Sequence, residues 1–111
     1  MDGLLLNTEE FYSVAIQKTL DPYDCKFNWE MKHQMMGRKW LESLELLINH
    51  YKLPIGVDQF ASICQKYLEA LFPDAELLPG AEKLVRHLYK HNIPMCICTG
   101  SSKTYFEIKT S

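Results

Sequence analysis

Two short stretches carry side chains suited to handling phosphate: Asp2-Gly3 near the start, and Thr99-Gly100-Ser101-Ser102 near the end. A carboxylate attacks phosphorus or moves a proton, while hydroxyls and a helix N-terminus hold an anion. Thr99 and Ser101 supply the hydroxyls, and Gly100 lets the backbone approach a ligand closely. The same four residues also suit an ordinary strand-to-helix turn with hydroxyl caps, and Asp-Gly taken alone is a common turn dipeptide. Arg38 and Lys39, following Gly37, read either as an anion contact or as two solvated charges at a helix start. His87 and His91 stand four apart, a metal-compatible spacing, yet no third ligand accompanies them, so they read as polar surface. The cysteines at 25, 64, 96 and 98 match no CxxC pair and are expected as buried free thiols. Tyr12, Trp29, Trp40, Tyr51 and Tyr67 suggest base stacking, but most sit at core spacing, which favours packing.

The elements that must position these residues change character along the chain. Asn7-Thr8-Glu9-Glu10 is a helix start, with Asn7 as the expected cap and Phe11, Val14, Ala15 and Ile16 as the apolar side. Asp21-Pro22 stops that helix, and residues 22–36 read as a short helix or loop broken by Gly37. Trp40, Leu44, Leu47 and Tyr51, widened by Leu41 and Ile48, mark one amphipathic helix. Asp58 is the expected cap of the next, whose face is Phe60, Ile63, Cys64, Tyr67, Leu68 and Leu71. The first 75 residues thus predict a small helical bundle. Pro79-Gly80 then opens a helix with Ala81, Leu84, Val85 and Leu88 on its buried side. Ile93-Pro94-Met95-Cys96-Ile97-Cys98 is apolar on both faces, as a parallel strand between helices is, and a further helix starts near Lys103. Helix, buried strand and hydroxyl loop are the pattern of a doubly wound α/β sheet, whose ligands bind past the carboxyl ends of the strands.

Bulk composition narrows the function classes. With 111 residues, 47% hydrophobic and 23% charged, the chain suits a modest globular unit rather than a disordered segment. A net charge of -2 gives no electrostatic case for nucleic acid or an anionic membrane. No membrane span or leader is legible, so the expected compartment is cytoplasmic.

The order of the pieces resembles the haloacid dehalogenase-like (HAD) phosphatase superfamily, in its helical-cap subgroup. The carrying residues are Met1 to Glu9, Leu78-Pro79-Gly80-Ala81-Glu82-Lys83-Leu84, and Ile93-Pro94 through Thr99. The MDGLLL start, Met36-Gly37-Arg38-Lys39 and the LPGAEKL segment are most similar to members that act on pseudouridine 5'-monophosphate. The resemblance implies an α/β fold: a Rossmann-like core, incomplete here, with an inserted α-helical bundle cap, so that this chain is mostly α. Residues 1–7 become the remnant of the first core motif, 8–76 the cap, and 77–111 a partial core.

By the same resemblance the family's Asp-x-Asp pair places the nucleophile one residue before Met1, and Asp2 becomes the general acid and base. Asp2 would also reach Mg2+ through its backbone carbonyl, at a site left incomplete. Thr99, Gly100 and Ser101 become the phosphate-binding loop, and Gly37, Arg38 and Lys39 a substrate-contacting cap loop. Asn7 replaces the Asp usual in its stretch. The family's phosphate-holding Lys and its magnesium acids fall beyond residue 111, and neither Lys103 nor Lys109 has the surrounding motif. The chain is therefore expected to be truncated at both ends, poorly supported after residue 77, and inactive alone. The implied partner is a small phosphorylated metabolite or nucleotide, with pseudouridine 5'-phosphate foremost. The alternative is a non-catalytic helical interaction module or a decayed-gene product.

Overall fold

Local signals place six α-helices in the computed structural model, which describes Met1 to Ser111: α1 (Glu9–Leu20), α2 (Trp29–Met35), α3 (Trp40–Tyr51), α4 (Val57–Leu71), α5 (Ala81–Lys90) and α6 (Lys103–Thr110). Two 3-10 turns, Asp21–Tyr23 and Phe72–Asp74, follow α1 and α4, each with a proline that cannot continue the helix before it. The chain separates into two compact units, one of Tyr12–Ala70 and one of Met1–Phe11 with Leu71–Ser111. No helix is long and apolar enough to cross a membrane.

The Tyr12–Ala70 unit is built by helical stripes that find partners. Ala15, Ile16 and Leu20 of α1 are buried, as are Met31 and Met35 of α2, Leu44 and Leu47 of α3, and Phe60, Cys64 and Leu68 of α4. The stretch before Gly37 resolves into a true helix because Asn28 caps it, its Oδ1 accepting the Met31 N–H at 2.9 Å. α2 packs on α3, and the Ser43 hydroxyl donates to the Met35 carbonyl at 3.1 Å across that contact. Tyr12 meets Trp40 edge to face at 5.7 Å, so this pair is packing. The loop after α1 is held by Gln17, whose Oε1 accepts from the Phe27 N–H and whose Nε2 donates to the Cys25 carbonyl. Val14 and Leu41, expected inside, lie at the edges of their stripes and stay exposed. Asp58 is not the cap of α4 but falls in its first turn, where a negative charge favours the helix dipole. Trp29 is also exposed, with the Lys32 ammonium 6.0 Å from its ring.

The second unit is stitched together by its two chain segments. Asn7 N–H donates to the Glu76 carbonyl at 3.0 Å, Glu76 N–H returns to Asn7 Oδ1 at 2.8 Å, and Leu78 N–H reaches the Leu5 carbonyl at 2.8 Å. Asn7 is therefore a cross-link between segments and not the cap of α1. The residue that immediately precedes α1 is Thr8, whose carbonyl accepts from the Phe11 N–H. Gly3 adopts φ +72° to make the tight turn between Asp2 and Leu6, and a Cβ there would stand 3.0 Å from Glu9 Cγ. α6 packs on the Phe72–Asp74 turn.

Here three expectations are corrected. Ile93–Cys98 pairs with no strand, and none of the backbone hydrogen bonds outside the helices involves residues 94–98. A strand is defined by its neighbours, and this chain supplies no second strand to pair with it. Ile93, Met95 and Ile97 are accordingly exposed, and so are Cys96 and Cys98; of the four free thiols only Cys64 is buried. The buried face expected of α5 is also largely absent: Ala81 is buried and Leu88 half-buried, while Leu84 and Val85 are exposed. Together Leu5, Leu77, Ala81, Val85, Tyr89 and Met95 border an apolar hollow of about 560 Å³.

Candidate functional site

Asp2 sits at the mouth of the Gly3 turn, and its carboxylate is the centre of a polar cluster. The Thr8 hydroxyl donates to Asp2 Oδ1, the Lys109 ammonium lies 2.8 Å from the same oxygen, and the Ser101 hydroxyl donates to Oδ2 at 3.0 Å. Lys109 also donates to Ser101 Oγ at 3.3 Å. Thr99 completes the loop from the other side, its Oγ1 accepting the Ser101 N–H at 3.2 Å while it donates to Ser101 Oγ. Ser102 caps α6 through the Tyr105 N–H, so the hydroxyl loop is anchored to a helix start.

The positions singled out in the sequence thus divide. Asp2, Thr99 and Ser101 come together in the second unit, linked by hydrogen bonds. Gly100 borders them, and a Cβ there would meet no protein atom within 4 Å. Gly37, Arg38 and Lys39 lie in the other unit, in the exposed turn between α2 and α3, where Arg38 Nε donates to the Gln34 carbonyl at 2.8 Å. His87 on α5 and His91 just past its end are exposed, with ring centroids 4.5 Å apart.

Lys109 is the member of the cluster that no motif announces. Its side chain is wholly buried, with Nζ 4.5 Å from the Phe72 ring centroid and 5.7 Å from that of Tyr105. The one available signal is local: Tyr105 and Lys109 are four apart on α6, so the lysine continues an inward-facing stripe and requires a buried partner. That partner lies at the far end of the chain, where no periodicity points.

Electrostatics in the cluster pull both ways. Burial works to raise the Asp2 carboxyl pKa; hydrogen bonds from Lys109, Thr8 and Ser101, with the Lys109 charge, outweigh it and hold the group below the ordinary value of 3.8. At neutral pH Asp2 is ionised. It is a proton acceptor as it stands, and acts as a donor once it has taken a proton up.

The donor set does not fit a magnesium ion. No three His, Cys, Asp or Glu residues gather anywhere in the structure, and Mg2+ calls for several oxygen ligands in octahedral array. The single carboxylate at the cluster already receives three donors, one of them a cation that repels a divalent ion.

Comparison with known proteins supplies the context for this cluster. The family described as haloacid dehalogenase-like hydrolase matches residues 1–110. The chain is 40% identical over 112 aligned residues to (DL)-glycerol-3-phosphatase 1, mitochondrial, of Arabidopsis thaliana, covering 99% of this chain and 38% of that protein. It is 39% identical over 111 residues to the Drosophila melanogaster protein named Probable pseudouridine-5'-phosphatase, covering 100% of this chain and 48% of that one. Among solved structures, a hydrolase from Pseudomonas syringae superposes with a TM-score of 0.74 at 22% identity, over 98% of this chain and 51% of that one. CbbY from Rhodobacter sphaeroides, solved in complex with phosphate, superposes with a TM-score of 0.76 at 20% identity, over 98% and 52% respectively. The chain spans about half the length of these proteins or less. Its fold is that of the haloacid dehalogenase-like α/β proteins, here mostly helical, and a match over 110 of its residues makes the chain a member of the haloacid dehalogenase-like hydrolase family.

Proposed function

We propose that this chain carries the phosphate-handling part of a phosphomonoesterase acting on small phosphorylated metabolites, with pseudouridine 5'-phosphate as the leading substrate. The observation that carries the reading is the meeting of Asp2 with the Thr99–Ser101 hydroxyl loop in one half-buried cluster. Relatives named for phosphatases of pseudouridine 5'-phosphate and glycerol 3-phosphate support the substrate class.

The overall reaction consumes a phosphate monoester and water and yields an alcohol and inorganic phosphate. Asp2 is the proton carrier in this reading: it takes a proton from the attacking water and passes one to the departing alkoxide. Thr99 and Ser101 hold the phosphoryl oxygens, and the N–H groups opening α6 add to their pull on negative charge. Arg38 and Lys39, in their exposed turn, are proposed to contact polar groups of the substrate. A route through an aspartyl-phosphate needs a second carboxylate as nucleophile, and the Asp2 cluster contains only one. The 111-residue chain alone is therefore read as inactive.

Phosphate release from pseudouridine 5'-phosphate and glycerol 3-phosphate, with Mg2+ present, tests this directly. The expected result is no release above that of Asp2→Asn. Turnover abolished by Asp2→Asn would overturn the inactivity and let kcat/KM rank the two substrates. Turnover indifferent to Asp2→Asn would sink the role given to Asp2.

A further inference from the structure

The two oxygens of Asp2 are not equivalent. Oδ1 receives two donors, the Thr8 hydroxyl and the Lys109 ammonium, whereas Oδ2 receives only the Ser101 hydroxyl at 3.0 Å. A carboxylate offers about two lone-pair sites per oxygen, so Oδ1 is filled and Oδ2 keeps one site open. We propose that Lys109 is the positioning residue for Asp2: its buried ammonium fixes Oδ1, which leaves Oδ2, beside the hydroxyl loop, as the oxygen that exchanges protons with a bound phosphate ester. This assignment rests on reading Asp2 as the acid and base.

The surroundings of Lys109 favour positioning over incidental pairing. A lysine normally keeps its strongly hydrated head in water. This one has no exposed side-chain surface, and its ammonium is held by a carboxylate, a hydroxyl and two aromatic faces. The aromatic faces are themselves fixed, since Phe72 and Tyr105 stack edge to face with centroids 5.0 Å apart.

Helix geometry explains how one short element serves both ends of the cluster. Lys109 occupies the last turn of α6, while Ser102 caps its start and Ser101 immediately precedes the cap. Helical side chains lean toward the N-terminus, so the lysine stem points back along α6 toward the loop it leaves. α6 therefore acts as a rigid spacer that sets the hydroxyl loop and the ammonium at one fixed separation, and Asp2 is gripped between them. Ser101, which accepts from Lys109 while donating to Oδ2, ties the two sides of the grip together.

Solution NMR of the 111-residue chain tests the assignment without needing turnover. In the wild type the Lys109 ammonium protons should exchange about tenfold more slowly than those of exposed Lys103. The side-chain couplings of Asp2 should report a single rotamer. Lys109→Met should average those couplings while leaving the α3 and α4 amide shifts unchanged, Lys109→Arg should restore the single rotamer, and Ser101→Ala should retain it. An Asp2 rotamer unchanged in Lys109→Met would overturn the proposal, as would one freed by Ser101→Ala alone. If Lys109→Met loses its fold, the wild-type ammonium still decides, because exchange as fast as at Lys103 excludes the grip. Turnover indifferent to Asp2→Asn counts against Asp2 as acid and base; failure of these couplings counts against Lys109.

Discussion

The Tyr12–Ala70 unit and the unit of Met1–Phe11 with Leu71–Ser111 both carry apolar runs but spend them differently. In the first, every long helix buries a stripe, and Phe60, Leu44, Leu47 and Leu68 have no exposed surface. In the second, Leu84, Val85, Ile93, Met95 and Ile97 remain exposed, and order is concentrated in the polar cluster at Asp2. The difference follows from the kind of partner each pattern requires. A helix satisfies its backbone internally and needs only a facing stripe, whereas a run such as Ile93–Cys98 needs neighbouring strands before it can be buried at all.

The largest effects should fall in the helical unit. Phe60→Ala removes a fully buried ring, and a loss of about 3–5 kcal/mol is expected in urea melts. Ile97→Ala, at a side chain already 54% exposed, should change stability by no more than about 0.5 kcal/mol. Hydrogen exchange should follow the same division, with slow amides in α3 and α4 and fast ones over residues 95–98. A large loss from Ile97→Ala, or slow exchange over 95–98, would break the contrast between the two units.

A smaller effect comes from the thiols. Burial pushes the Cys64 thiol up from 9.0 to about 11, against a weaker opposing hydrogen bond from Thr19. Because the folded value is the raised one, this contribution to stability is fully present below about 9 and is lost as pH rises through about 11. Each tenfold difference in proton affinity between the folded and unfolded thiol is worth about 1.4 kcal/mol, so the loss is about 2–3 kcal/mol. Urea melts at successive pH values should show it in the wild type and lack it in Cys64→Ala. Alkylation of the native chain should label exposed Cys96 and Cys98 and spare Cys64, which sharpens the same contrast by a second route.

How much of this is legible in the sequence depends on how locally each feature is encoded. The 3.6-residue stripes place α3 and α4 and, with Asp21-Pro22 and Phe72-Pro73, the stops of α1 and α4, because helices are specified by residues a few positions apart. Asn7 misleads for the opposite reason: a capping residue and a cross-segment linker have the same chemistry, and only the position of Glu76 separates them. Residues 93–98 are legible as an apolar run, but the buried strand expected there does not form, since its partners are not part of the pattern. At the site, Asp2 and Ser101 stand out by type, while their contact across 99 positions does not. Lys109 is set aside because it lacks a surrounding motif, and a lysine near a helix end ordinarily stays in solvent.

The smallest difference between the units is at their helix caps. Asn28 accepts the Met31 N–H at 2.9 Å, within the ordinary range, whereas Ser102 accepts the Tyr105 N–H at 3.3 Å, just beyond it. Asn28→Ala should lower stability by about 1 kcal/mol, because α2 packs on α3 and its loss propagates into the helical unit. Ser102→Ala begins from a longer bond on an exposed residue, so a smaller effect is expected in the same melt. Its consequence should instead be local, loosening the start of α6 and with it the loop that brings Ser101 to Asp2. An equal loss from both substitutions would mean that α6 is as tightly coupled to global unfolding as α2, and that the open unit is held more firmly than its exposed apolar side chains imply.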